Sequence, residues 1–277
     1  MKLQAKGKDL FLYETENFDP FVSCECGQCF RFDKVSDDEY TLNACNRPLT
    51  ILRKEAGWLF LDITEKEFRD DFINYFDLER DYGEIIKSFS SDETISRAAE
   101  IGGGIRIFRQ DPWETLISFI ISQNNNIPRI KKIINSLCAL LGEERNGVYS
   151  FPSPEKIIEA GLEGLAPIKS GFRAKYILDA AEKVVSGEVS IERLAGCGYE
   201  AALAELKLIK GVGDKVANCV LLFGFGYYEA FPIDVWVKRV MEEYYPNGLD
   251  VKALGKYAGV AQQYLFHYKR NSAEENN

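Results

Sequence analysis

The sequence predicts an α+β chain: an N-terminal antiparallel β-sheet domain with helices, then an all-helical region containing a helix-hairpin-helix motif. Three observations carry this prediction. Residues 39–43, 49–53 and 57–62 show partial alternation of apolar and polar side chains with turn residues between them, the signature of an antiparallel meander with one packed face. Residues 115–122 are apolar nearly all round, which marks a central helix. Gly211-Val212-Gly213 separates two segments of helical periodicity. The glycine run Gly102-Gly103-Gly104 reads as the boundary, giving a sheet domain over 1–104 and a helical region over 105–277.

The elements follow in order. From about Lys66 the strand pattern gives way to helix. Residues 79–104 read as a polar connection with one helix around 92–100. Asp111-Pro112-Trp113-Glu114 is a compact helix start, with Asp as N-cap, Pro at the first position and Glu at the third. That helix runs into Gln123-Asn124-Asn125-Asn126, a poor continuation and a good turn. Ser153-Pro154 is another N-cap and proline pair. The tail 271–277 is polar and acidic, as a disordered terminus would be.

The chemistry concentrates between 206 and 241. Two glycines around one small apolar residue let the chain reverse through left-handed conformations and leave backbone N-H groups bare. Bare N-H groups at a helix start bind phosphate. Lys215 falls in the first turn of the following helix, with Cys219 one turn along the same face. A cation is disfavoured at the positive end of a helix, and burial lowers a lysine pKa further, toward a nucleophilic amine. Asp234, after Pro232, sits where a new helical pattern begins and reads as its N-cap. N-H bonds from that helix are expected to keep it ionised even in a dry site. An amine and a fixed carboxylate suit attack at a sugar carbon that becomes cationic. The plainer alternative is a solvated lysine and an aspartate that only caps.

Composition narrows the field. With 46% apolar and 13% aromatic residues in 277, the chain is a folded globular protein. No stretch approaches the roughly 20 apolar residues that span a bilayer, and the N-terminus lacks a signal-peptide core, so an intracellular, monomeric protein without membrane partners is expected. Seven cysteines imply free thiols; Cys24, Cys26 and Cys29 are close, but no fourth metal ligand is evident, and no metal or organic cofactor is expected. A net charge of -9 argues against nucleic acid if taken alone. Cations nevertheless cluster at Arg129, Lys131 and Lys132, at Lys169, Arg173 and Lys175, and around the hairpin.

The Gly-Val-Gly-x-Lys hairpin and the Pro-x-Asp-Val that follows resemble the helix-hairpin-helix DNA glycosylases with a catalytic lysine, most closely the 8-oxoguanine DNA glycosylases. Many relatives in that superfamily carry four closely spaced cysteines for an iron-sulfur cluster after the Pro-x-Asp segment; here the last cysteine is Cys219. The resemblance implies a bifunctional glycosylase/AP lyase acting on duplex DNA with 8-oxoguanine opposite cytosine, with Lys215 as nucleophile and Asp234 as its electrostatic partner. Gly27, in a Gly-Gln-x-Phe-Arg segment, would accept the N7-H that only the oxidised base presents; the residues alone also fit a strand edge with a glycine bulge. One carbonyl can discriminate because guanine N7 is an acceptor and facing lone pairs repel. Gln262 would read the flipped base, Phe266 would stack on it, Cys219 would cover its other face, and Pro232 would complete the base site. Asn124 would fill the gap left by the base, and Arg129 would contact the orphaned cytosine. Phe172 would wedge beside that cytosine, or could be simply core, and Arg173 would hydrogen-bond to it; eukaryotic members usually have tyrosine at the wedge. Gly211, Val212 and Gly213 would meet the DNA backbone. Two positions depart from the eukaryotic pattern, Trp236 and Lys269. The rivals are a relative acting on another damaged base and a non-catalytic DNA-binding hairpin.

Overall fold

The computed structural model describes residues 1–145 and 147–274. Six strands form one antiparallel sheet: β1 (Lys2–Lys6), β2 (Asp9–Tyr13), β3 (Phe32–Ser36), β4 (Glu39–Ala44), β5 (Arg47–Lys54) and β6 (Gly57–Phe60), in the order β1-β2-β6-β5-β4-β3. The expected meander is β4-β5-β6. On β2 and β4 every second side chain is buried, so one face packs and the other meets solvent. Leu10, Leu12, Leu42, Ile51 and Phe60 meet Phe68, Phe72 and Phe76 from the helical turns that follow, forming the first apolar core.

The second core belongs to the helices. The expected polar connection at 79–104 holds two: α1 (Tyr82–Ser88) and α2 (Glu93–Ile101). Tyr82, Ile85 and Phe89 are buried in the helical core, so α1 is an amphipathic element whose short apolar stripe polar neighbours obscure in the sequence. The central helix α3 (Pro112–Ser122) buries Thr115 to Ile121, capped by the Asp111 carboxylate on the Glu114 N-H at 2.8 Å. A cap of this kind contributes about 1 kcal/mol. Next come α4 (Ile127–Leu141), capped by Asn126, and α5 (Pro154–Leu165), capped by Ser153. After α6 (Arg173–Val185) and α7 (Tyr199–Leu206), the hairpin leads into α8 (Asp214–Val220); α9 (Val235–Tyr244) and α10 (Ala258–Glu274) follow. Helix α10 takes in 271–274, part of the tail expected to be disordered; residues 275–277 lie outside the described residues.

One buried arginine joins distant segments. The Arg106 guanidinium donates to the carbonyls of Glu16, Asn17, Asp77 and Arg80 at 2.6–3.0 Å and lies 4.5 Å from the Tyr82 ring centre. Its own carbonyl accepts from the Gln28 amide at 2.8 Å. Gln28 is fully buried and also accepts from the Phe108 N-H at 2.7 Å, while its carbonyl accepts from Gln110 at 2.7 Å. Three hydrogen bonds through Gln28 thus fix the turn that carries Gly27.

Candidate active site

That turn is not a strand edge. Gly27 ends a helical stretch that begins at Pro20, with φ +76° and ψ 17°, a left-handed conformation open to glycine at little cost. Cys26 and Phe30 on either side pack in the helical core, whereas Cys24 and Cys29 pack in the sheet core. The turn therefore sits on the seam between the two cores. A Cβ added to Gly27 would lie 3.1 Å from the Phe266 ring.

The hairpin uses its glycines differently from each other. Gly211 is left-handed, φ +79°, and its Cα faces the Tyr176 ring so closely that a Cβ would come within 2.3 Å. Gly213 is extended, φ -101° and ψ -174°, and serves as N-cap of α8 with open space beside it and no side-chain cap. One glycine makes the reversal; the other leaves the N-terminal N-H groups uncovered. Val212 anchors the turn in the core.

Lys215, half-buried on the first turn of α8, places its Nζ 5.1 Å from the Phe119 ring centre. Asp234 caps α9 by accepting the Val237 N-H at 2.9 Å. Burial pushes the Asp234 carboxyl above the ordinary carboxylate value; the α9 N-H groups and the Lys215 charge pull it back only in part. The sequence expectation set the N-H bonds against a dry site; in the structure burial is the larger of the two influences. Burial also pushes the Cys219 thiol up, to about 11, against the opposing pull of Lys215, so it stays a neutral wall.

Lys215 and Asp234 line two openings at once. Behind them Gly27, Cys219, Pro232, Gln262 and Phe266 enclose a cavity of about 30 Å³, together with Cys26, Phe119, Phe223 and Gln263. In front, a groove of about 550 Å³ runs past Asn124, Gly213, Ile233 and Lys238. All five expected base-site residues converge on the first opening. A separate cleft of about 500 Å³ around Arg31, Arg109 and Glu114 contains none of the expected residues.

The remaining expected positions surround the groove. Asn124 is exposed at the tip of its turn with φ +47°, while Asn125 donates to the Ile121 carbonyl and Asn126 caps α4. Arg129 is exposed and Phe172 is 49% exposed, so Phe172 is surface rather than core. Arg173 behaves differently. Only 3% exposed, it donates to the carbonyls of Gln123, Asn124 and Ser170, and so holds the asparagine turn in place with most of its N-H groups. Trp236 is half-buried under Arg239, and Lys269 forms an ion pair with Glu243.

The basic face is thinner than the residue count suggested. Lys207 pairs with Asp214, Lys210 with Asp179, Lys131 with Asp33 and Lys238 with Glu242. Sequence reasoning also passed over Gln28, Phe119 and Gln263; only the Gly-Gln pairing hinted at the first. Among the described residues no cluster of three or more His, Cys, Asp or Glu is placed to hold a metal, and the three cysteines near Gly27 are buried free thiols. Among them, too, no helix is long and apolar enough to cross a membrane.

A lysine just past a helix-hairpin-helix turn, lining one cavity with an aspartate N-cap, is the arrangement expected of a base-excision DNA glycosylase. Residues 117–252 match the HhH-GPD superfamily of base excision DNA repair proteins, and residues 10–116 match the 8-oxoguanine DNA glycosylase N-terminal domain. The chain belongs to the 8-oxoguanine DNA glycosylase family of that superfamily. It is 32% identical to a probable N-glycosylase/DNA lyase of Methanothermobacter thermautotrophicus over 80% of this chain and 82% of that one. The Clostridium acetobutylicum 8-oxoguanine glycosylase/lyase, solved with duplex DNA carrying cytosine opposite 8-oxoguanine, superposes with a TM-score of 0.91 at 36% identity over 99% of each chain. MBOgg1, solved with a low-affinity DNA ligand, superposes with a TM-score of 0.92 at 40% identity over 98% of this chain and 99% of that one.

Proposed function

We infer that the chain excises 8-oxoguanine from duplex DNA and nicks the resulting abasic strand, with Lys215 and Asp234 as the reacting pair. The observation that carries the assignment of roles is that these two residues line both the base cavity and the open groove. The flipped nucleotide would place its base behind them and its backbone in front, leaving C1′ between them. The Lys215 amine attacks C1′ as the glycosidic bond breaks, and the base departs with the bonding electrons and takes up a proton. Asp234 stabilises the positive charge that develops on the sugar. The sugar ring opens to a Schiff base on Lys215; loss of the C2′ proton then expels the 3′ phosphate, which cuts the strand. Gly27 tests N7-H, Asn124 enters the gap, and Arg129 with the last free donor of Arg173 meets the orphaned cytosine. In this reading residues 1–104 supply the lesion-sensing carbonyl and 105–277 the rest. Its work lies inside the cell, with the chromosome.

The test is incubation of a labelled duplex carrying 8-oxoguanine opposite cytosine, with borohydride, beside Lys215→Gln. Trapping and nicking should both vanish in the variant while lesion binding persists. Full activity in Lys215→Gln would remove the lysine from the mechanism. Binding by the wild type without turnover would favour the non-catalytic hairpin.

A further inference from the structure

Helix α10 carries two consecutive buried glutamines onto the base cavity, and the family resemblance gives a role to only one. Gln262 is 2% exposed and Gln263 3% exposed. The Gln263 amide nitrogen donates to the Gln262 side-chain oxygen at 2.8 Å. The Gln263 side-chain oxygen is buried and has no hydrogen-bond partner. A buried carbonyl left unpaired is costly, so the Gln263 oxygen calls for a donor from an ordered water or a ligand. Gln263 also borders the cavity together with Gly27 and Phe266.

The bond between the two amides ties them together at the cavity. The Gln262 oxygen keeps a second lone pair, so Gln262 still offers both a donor and an acceptor, whereas the free oxygen of Gln263 offers an acceptor. The Watson-Crick edge of guanine, which oxidation at C8 leaves unchanged, reads acceptor at O6, then donors at N1 and the 2-amino group. The edge of adenine reads in the opposite order, donor at N6 and acceptor at N1.

We propose that Gln263 is a specificity-determining residue: its side-chain oxygen accepts from the N1-H and 2-amino side of the flipped base, while its amide nitrogen holds the Gln262 side chain in place beside it. The proposal rests on the cavity being the base site. Gly27 then distinguishes the oxidised base from the normal one, and the paired glutamines distinguish guanine from adenine.

The experiment compares single-turnover excision of 8-oxoguanine and of 8-oxoadenine, each opposite cytosine, by wild type, Gln263→Met and Gln263→Ala, with nicking of a ready-made abasic site as the readout of an intact fold. Both variants should lose about 10- to 100-fold on 8-oxoguanine, keep their activity on 8-oxoadenine and on the abasic site, and so narrow the ratio between the two lesions. Equal fractional losses on both lesions, or an unchanged ratio, would overturn the role of Gln263. Failure of the wild type to excise 8-oxoguanine at all would instead overturn the base-site reading beneath it.

Discussion

The two openings that share Lys215 and Asp234 are built in opposite ways. The groove is about 550 Å³, open, and rimmed by exposed side chains such as Val235 at 63% and Asn124. The cavity is about 30 Å³, room for a water molecule or two and far too small for a purine. Its walls are largely buried, and Phe266 rests against Gly27 on the ground a base would occupy. On the proposed assignment, the half that would bind the strand is preformed and the half that would take the base is too small to admit it. On that assignment, engagement of the backbone and admission of the base would be separable events, the second requiring Phe266 to move.

Predictions test that separation, beginning with the residue common to both halves. Asp234→Asn should lower single-turnover excision by about 10²- to 10³-fold, the usual loss when an electrostatic stabiliser is removed. The fold should not suffer. Burial raises the folded-state pKa of Asp234, so any stability it adds exists below its unfolded pKa and is lost as pH rises through the folded one. At neutral pH the charge is a burden, asparagine also caps helices well, and the melting temperature of Asp234→Asn should equal or exceed that of the wild type. A marked fall would show that the carboxylate is chiefly structural. The same shift places the acid limb of the excision rate above the ordinary carboxylate range, and a pH-rate profile of Asp234→Asn should lack that limb.

Gly27→Ala acts on the cavity alone. The left-handed turn costs a side chain about 1–2 kcal/mol, and the new methyl meets Phe266. Excision of 8-oxoguanine should fall about tenfold or more, while nicking of a ready-made abasic site stays within about twofold. Equal losses on both substrates would erase the division between the openings. Phe172→Ala acts on the groove side: loss of one stacking surface should weaken duplex binding by about 1 kcal/mol, roughly fivefold, with little change in the rate once the base is bound. A change in excision rate at saturating enzyme would tie Phe172 to base entry instead.

Local signals made much of this legible in the sequence. The caps Asp111, Ser153 and Asp234 each need only their own following turn, and the structure shows every one bonded to the third N-H beyond. The Gly211 reversal was legible for the same reason, although its sister Gly213 proved to be an extended cap. What stayed hidden depends on segments far apart in the chain. Strands β1 and β2 reach the sheet only by pairing β2 with β6. Gln28 acquires its function from carbonyls and N-H groups near residue 106, and Arg173 from carbonyls fifty residues earlier. The thinness of the basic face stayed hidden as well, because acids such as Asp179 and Asp214 pair with lysines that a residue count treats as free.

The shut cavity also bears on how the enzyme meets its own product. A free 8-oxoguanine base drifting through solution finds the proposed base cavity far too small to receive it. It must displace Phe266 using only its own few contacts, without the help of a bound strand. Liberated bases should therefore be feeble competitors, and turnover should continue unslowed as they accumulate.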